Sequence, residues 1–189
     1  DAIVLRANSQ KLVVPINYSA TRTGGIETSL LISALQRIQF SAALTWTDAR
    51  IAEAETAYIN NKVPFVPEWD LELGLKLRPL PWLSVHWAFS YLAGSYDSRS
   101  NLFAQAPRAI HNLELRIDPG PNLPWISVEA HNLADSTTWT GPLDPLHPES
   151  SENVIRRIED FRGNPLPGRS ILFSLGWKMS PRPSQANTR

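Results

Sequence analysis

The chain has 189 residues with 18 basic and 18 acidic side chains, a formal net charge of zero. That balance excludes a basic nucleic-acid module and a polyacidic tail. The absence of cysteine excludes a disulfide scaffold, an iron–sulfur protein and a cysteine-based zinc finger.

Taken in chain order, the hydrophobic period is two almost throughout, which predicts β-strands. An opening apolar stretch near residues 1–8 is followed by a strand over 15–33, where Ile26, Thr28, Leu30 and Ile32 share one face opposite Glu27, Ser29 and Leu31. In 37–52, Phe40, Ala42, Leu44 and Trp46 alternate with Gln39, Ser41, Ala43 and Thr45. The clearest case lies in 64–78, where Leu71, Leu73, Leu75 and Leu77 oppose Glu72, Gly74, Lys76 and Arg78. A helix would scatter these leucines around its axis, whereas a strand lines them up. Further strands follow over 83–97, with Val85, Trp87, Phe89 and Tyr91 on one face, and over 106–118, with Leu113, Leu115 and Ile117. Two more are expected at 123–133, with Ile126, Val128 and Ala130, and at 168–179, with Ile171, Phe173, Leu175 and Trp177. The total is about eight strands, several of them long enough for the ~9–11 residues of a tilted membrane-spanning strand.

The connections alternate strictly. Residues 33–36, 79–81 and 119–122 are short and turn-like, while 53–62, 98–105 and 135–167 are longer and polar. An antiparallel up-and-down sheet then has every short turn at one end and every long loop at the other, as in outer-membrane barrels. No run of about 18 apolar residues is present, so no transmembrane helix is expected, but strands can span a membrane without one. Most of the 16 prolines fall at strand ends, where a missing N–H costs little. Tyr58, Phe65, Trp69, Trp82, Tyr96, Phe103, Trp125 and Trp139 also fall near strand ends, as two aromatic girdles at a membrane boundary would. In the loop 135–167, a short helix capped by Ser150 or Ser151 and running through Val154, Ile155, Ile158 and Phe161 is expected.

Motifs for catalysis are missing. His86, His111, His131 and His147 lack metal-ligand spacing, and Gly24-Gly25 lacks the context of a dinucleotide fold. The carboxylate pairs Glu149/Glu152 and Glu159/Asp160 lie in a loop and read as solvated. No enzyme, cofactor or metal is expected. The informative chemistry is a face: Glu27, Glu72, Lys76, Arg78, Glu114, Arg116, Glu129 and Lys178 all point one way by parity. A dry core could not hold so many charges, but a wet lumen or the outside of a soluble sheet could.

The C-terminal third resembles a known family. Val128-Glu129-Ala130-His131-Asn132-Leu133-Ala134-Asp135 is similar to the strand near the end of TonB-dependent outer-membrane receptors. Pro165-Leu166-Pro167-Gly168-Arg169-Ser170 is similar to the segment that opens their last strand. Upstream, Gly24-Gly25-Ile26-Glu27, Thr45-Trp46-Thr47-Asp48-Ala49 and Val63-Pro64-Phe65-Val66-Pro67 resemble family motifs in the family's order. The resemblance implies an all-β segment of a transmembrane barrel over residues 1–179, followed by a polar tail over 180–189. It would be the last third or so of a barrel of about 22 strands around a plug domain. It also implies a bacterial outer-membrane location with lipid around the barrel. The remaining strands, the plug and the region that meets TonB would belong to a longer chain, as the start at Asp1 without a methionine also suggests. The ligand would be a scarce nutrient such as a ferric siderophore.

Within the motifs, Pro165 and Pro167 are expected to hold the incoming chain extended, with Gly168 free to take an unusual backbone angle. Arg169 is expected to pair with a rim carboxylate. Asn132, beside Leu133 and Asp135, would close its strand through local bonds. Ligand contacts are expected from Trp139, Arg156 and Arg157 in the long outer loop. Two other readings remain at this point: a stand-alone eight-stranded outer-membrane barrel, and a soluble β-sandwich binding module.

Overall fold

The computed structural model describes residues 3–7, 13–17, 20–54, 56–96, 98–102, 104–142, 153–158 and 164–177. In chain order the strands are β1 (Ile3–Ala7), β2 (Val13–Asn17), β3 (Ala20–Ala34), β4 (Ile38–Glu53), β5 (Trp69–Leu80) and β6 (Leu83–Leu92). They continue with β7 (Arg108–Ile117), β8 (Pro124–His131), β9 (Thr138–Pro142), β10 (Asn153–Arg157) and β11 (Ser170–Trp177). One 3-10 turn, Thr56–Tyr58, lies between β4 and β5.

Seven strands form one antiparallel sheet in the order β11-β8-β7-β6-β5-β4-β3. Every neighbour but one is the next strand in sequence; between β8 and β11 the chain inserts the β9–β10 hairpin. Among the described residues the sheet is an up-and-down meander that does not close on itself.

The period-two reading explains the register. Leu71, Leu73 and Leu75 stand opposite Leu44, Ala42 and Phe40 of β4 and opposite Tyr91, Phe89 and Trp87 of β6. The row continues through Leu113 and Leu115 to Ala130 and Val128, and on to Ile171 and Phe173 of β11. Cross-strand apolar pairs on one face are the unit of stabilisation in a sheet. A one-residue slip would exchange this face with the charged one, so the register is strongly specified. Yet almost none of these side chains is buried. Among the described residues the buried apolar side chains are Ala49, Ile51 and Ile158, and no second layer covers the apolar face. This is one wall, not a β-sandwich.

Turn chemistry sets the two ends. Leu35 and Gln36 both take left-handed angles, φ 53° and 54°, and Arg37 N–H closes the turn on Ala34 O at 3.2 Å. A two-residue turn of this hand matches the twist of the flanking strands. Pro81 and Trp82 connect β5 to β6, and Gly120 (φ 124°) with Asn122 (φ 64°) turns β7 into β8. The connections β4–β5, β6–β7 and β8–β11 are long and share the opposite end.

Several expectations are corrected. The opening stretch pairs with β2 and forms a separate hairpin, so the sheet has seven strands, not eight. Residues 153–157 form strand β10 instead of a helix. Val154 and Ile155 favour extended backbone, and pairing with β9 supplies the hydrogen bonds. Strand β5 begins at Trp69, not at 64. Pro64 and Pro67 keep that stretch out of the ladder, with Phe65 at φ 60° in a turn.

Candidate functional site

The two faces of the sheet differ in chemistry. The face of Leu73 and Phe89 carries no Asp, Glu, Lys or Arg from Ile26 to Ala34, Ile38 to Trp46, Trp69 to Leu77, or Leu83 to Tyr91. At its long-loop end Trp46 and Trp69 pack at 6.3 Å, and at its short-turn end stands the exposed Trp177. His111 lies on this face, its ring 4.6 Å from Phe89 and 5.9 Å from Trp87.

The other face is charged. Lys76, His86, Glu114 and Glu129 stand in one row across β5 to β8. His86 Nδ1 is 3.9 Å from Glu114 Oε2, and His131 Nε2 is 3.7 Å from Glu129 Oε2. Arg116 donates to Asp118 at 3.2 Å and lies 3.9 Å over the Trp125 ring. The charged residues read from parity share this face from Glu27 to Glu129 by register; Lys178 lies outside the described residues. Trp125 is a correction, since it stands on the charged face with Ser127 and Glu129 and belongs to no girdle. Phe103 lies outside the described residues, as does the side chain of Trp139.

The long-loop end holds a network that sequence reasoning missed. Strand β4 extends beyond Trp46, and there Arg50 Nε donates to both oxygens of Asp48 at 3.0 Å. Lys62 Nζ reaches Glu68 at 2.7 Å and Asp48 at 3.9 Å. The Arg50 hydrogen bond holds the Asp48 carboxyl below its usual range and raises Arg50 in turn. The Lys62 hydrogen bond lowers Glu68 in the same way. Two connections are stitched together beside it. Asn61 Nδ2 donates to Arg99 O at 2.8 Å, and Lys62 N–H donates to Asn101 Oδ1 at 2.6 Å. Asn101 Nδ2 returns a bond to Lys62 O at 3.0 Å, and the Arg99 guanidinium stacks over Tyr58 at 4.3 Å. The available signal was the asparagines: Asn60 and Asn101 take left-handed angles, which asparagine tolerates.

The resemblance motifs come together as a clasp between β8 and β11. Asn132 is buried at φ 49°. Its Nδ2 donates to Pro167 O at 3.2 Å and its Oδ1 accepts from Ser136 N–H at 3.0 Å. Its own N–H donates to Asn112 Oδ1 at 3.0 Å, and Leu133 N–H donates to His111 O at 2.8 Å. Asp135 Oδ1 accepts from the Arg169 main-chain N–H at 2.7 Å. The carboxylate thus meets the backbone of Arg169. Gly168 does not take the unusual backbone angle expected of it; a Cβ there would stand 3.0 Å from that same oxygen, so glycine serves to let the carboxylate approach. Pro165 and Pro167 flank Leu166, whose N–H donates to Ile158 O at 2.9 Å.

Of the expected ligand contacts, Arg156 stands opposite Trp139 and Arg157 opposite Thr138 in the β9–β10 hairpin. The three residues therefore share one small element. Among the described residues no group of three His, Asp or Glu converges as a metal site.

No protein-family profile matches the chain, and no curated sequence matches it significantly. Solved structures do. The siderophore receptor PiuA of Acinetobacter baumannii superposes with a TM-score of 0.63 at 17% identity, over 82% of this chain and 21% of the receptor. The ferric preacinetobactin receptor BauA of the same organism gives 0.61 at 15%, over 92% and 25%. The ferric yersiniabactin uptake receptor FyuA of Yersinia pestis gives 0.61 at 17%, over 82% and 23%. The chain spans between a fifth and a quarter of these proteins, and at such identity the likeness is one of fold. The fold is an open stretch of antiparallel up-and-down barrel wall. More particularly, it is the fold of a portion of the receptors just named.

Proposed function

We propose that this chain is the C-terminal part of the barrel of a TonB-dependent outer-membrane receptor, taking up a scarce nutrient such as a ferric siderophore. The observation that carries this reading is the two-faced sheet with all long connections at one end. Its apolar face meets outer-membrane lipid, and its charged face lines a wet lumen. The free edges of β3 and β11 support a larger barrel, because an open edge in hydrocarbon leaves backbone groups unsatisfied. In this reading residues 1–179 are barrel and 180–189 a tail. Further strands pair with the two edges, a plug domain fills the lumen, and TonB acts through the N-terminal part of the full receptor. Trp139, Arg156 and Arg157 contact the ligand from the outer hairpin. The role is transport, with no catalytic residue.

The test is deletion of the gene that carries this chain, followed by uptake of radioactive iron chelates under iron limitation. The expected result is loss of uptake of one chelate class, matched by loss in a strain lacking TonB. Unchanged uptake and growth across ferric chelates and other scarce nutrients would sink the reading.

A further inference from the structure

We propose that the short-turn end of the charged face holds a binding site for a phosphate-type oxyanion, formed by Arg37, Lys76 and Arg78. The proposal uses the two-faced sheet alone and stands whether or not the protein carries a chelate. These residues line one groove of about 210 Å³ together with Ser33, Gln36 and Gln39. Its side-chain hydrogen-bonding atoms are guanidinium, ammonium, amide and hydroxyl groups, with no carboxylate.

Three observations support the assignment. The first is geometry. Arg78 N–H donates to Arg37 O at 2.7 Å, which locks the β3–β4 turn against β5. Lys76 stands opposite Gln39 on β4, so the cations converge from two elements held in register.

The second is charge. Some cations are paired, Arg50 with Asp48, Lys62 with Glu68 and Arg116 with Asp118, and others such as Arg108 and Arg169 stand singly among the described residues. Arg37, Lys76 and Arg78 differ in lining one groove together. Arg37, Lys76 and Arg78 have no ion pair among the described residues. Three like charges left together repel, and an anion between them relieves the repulsion. A second groove runs on from Lys76 and Arg78 to Arg116, but Glu114 and Asp118 line it too. The anion therefore belongs in the first groove.

The third is direction. Lys76 and Arg78 share the face of Glu72, opposite Leu75 and Leu77, so the site is reached from the charged side. Guanidinium forks match the paired oxygens of phosphate, and lysine adds a point charge. A dissolved phosphate and a phospholipid headgroup at this rim share that chemistry.

The test uses the protein that carries this chain, purified in a nonionic detergent and titrated with inorganic phosphate by calorimetry. Chloride at equal ionic strength is the control. Saturable phosphate binding is expected. It should weaken about tenfold or more in Lys76→Gln/Arg78→Gln, as loss of two charge-assisted contacts implies. It should persist in the charge-keeping pair Lys76→Arg/Arg78→Lys and in Arg22→Gln at the far end of β3. A second arm replaces phosphate with bilayer nanodiscs containing phosphatidylglycerol. A response there alone, abolished by the double glutamine change, assigns the oxyanion to a lipid headgroup. Phosphate and lipid responses that survive the double glutamine change, or that chloride reproduces, overturn the site. So does the absence of any saturable response in either arm.

Discussion

Gly176 and Trp125 face each other across β11 and β8. A Cβ on Gly176 would run into the indole ring of Trp125. The missing side chain is therefore the space in which the ring lies, and the ring in turn carries the Arg116 guanidinium. Gly176→Ala forces the ring or the strand to move, at a cost of about 1–3 kcal/mol for an overpacked contact. The expected outcome is a lower unfolding temperature with a changed tryptophan emission, and Trp125→Ala in the same background should remove most of the penalty. Asn132 offers a second test at this scale. Its amide bonds Pro167 and Ser136 from a buried position. Asn132→Leu removes both bonds, and because Pro167 is exposed and Ser136 half-buried water replaces part of them, so the cost is about 0.5–1.5 kcal/mol for each bond lost. Faster hydrogen exchange at the amides of Ser136 and Arg169 would report the opened clasp. Asn132 was legible in the sequence as a strand-closing residue. Its bond to Pro167 was not, because that partner is 35 residues away and no local pattern encodes it. Arg169 was legible as a partner of a rim carboxylate, but the contact is made by its amide.

At the scale of elements, the β4–β5 and β6–β7 connections behave as one unit. Side chains of Asn61 and Asn101 bond across the pair, and Phe65 N–H donates to Tyr96 O at 2.8 Å. Beside them, Asp48 and Glu68 are held below their usual carboxylate range by hydrogen bonds from Arg50 and Lys62. A carboxylate whose folded pKa is depressed contributes stability above its unfolded pKa, near 4, and loses it as pH falls through the folded value. The lock should therefore hold from neutral pH down to about pH 4 and loosen below it. Limited proteolysis across residues 54–68, by an acid protease over a pH series, would read this directly. Asp48→Asn/Glu68→Gln should flatten the profile and leave the connection more open at neutral pH. The sequence shows these stretches only as polar and proline-bearing, since an asparagine that bridges two loops looks like one that turns a chain. The β9–β10 hairpin was hidden for a related reason. Val154, Ile155 and Ile158 fit a helical spacing, and only the pairing with Thr138–Pro142 selects the strand.

At the scale of the molecule, the sheet has an apolar face without a layer over it, and its free energy depends on what solvates that face. Period two made the face legible residue by residue, from Leu71 to Leu77 and from Val85 to Tyr91. Parity cannot say how many strands join one sheet, which is why the opening stretch was counted with it. The consequence is an asymmetry between the two faces, which the membrane-assembly readout makes specific to a lipid setting. Leu73 lies mid-strand on the apolar face, opposite Ala42 and Phe89. If the apolar face meets lipid as proposed, Leu73→Arg places a charge against hydrocarbon, at a cost of about 2–4 kcal/mol near the bilayer midplane. Ser90 lies on the charged face, directly opposite Glu72. Ser90→Arg adds the same side chain where water and a carboxylate receive it, worth no more than about 1 kcal/mol either way. Assembly in the membrane, read as heat-modifiable gel mobility of the outer-membrane fraction, should fall sharply for Leu73→Arg and stay near the parent level for Ser90→Arg. Equal loss in both would mean that neither face meets lipid. Loss in Ser90→Arg alone would mean that the lipid-facing side has been assigned the wrong way round.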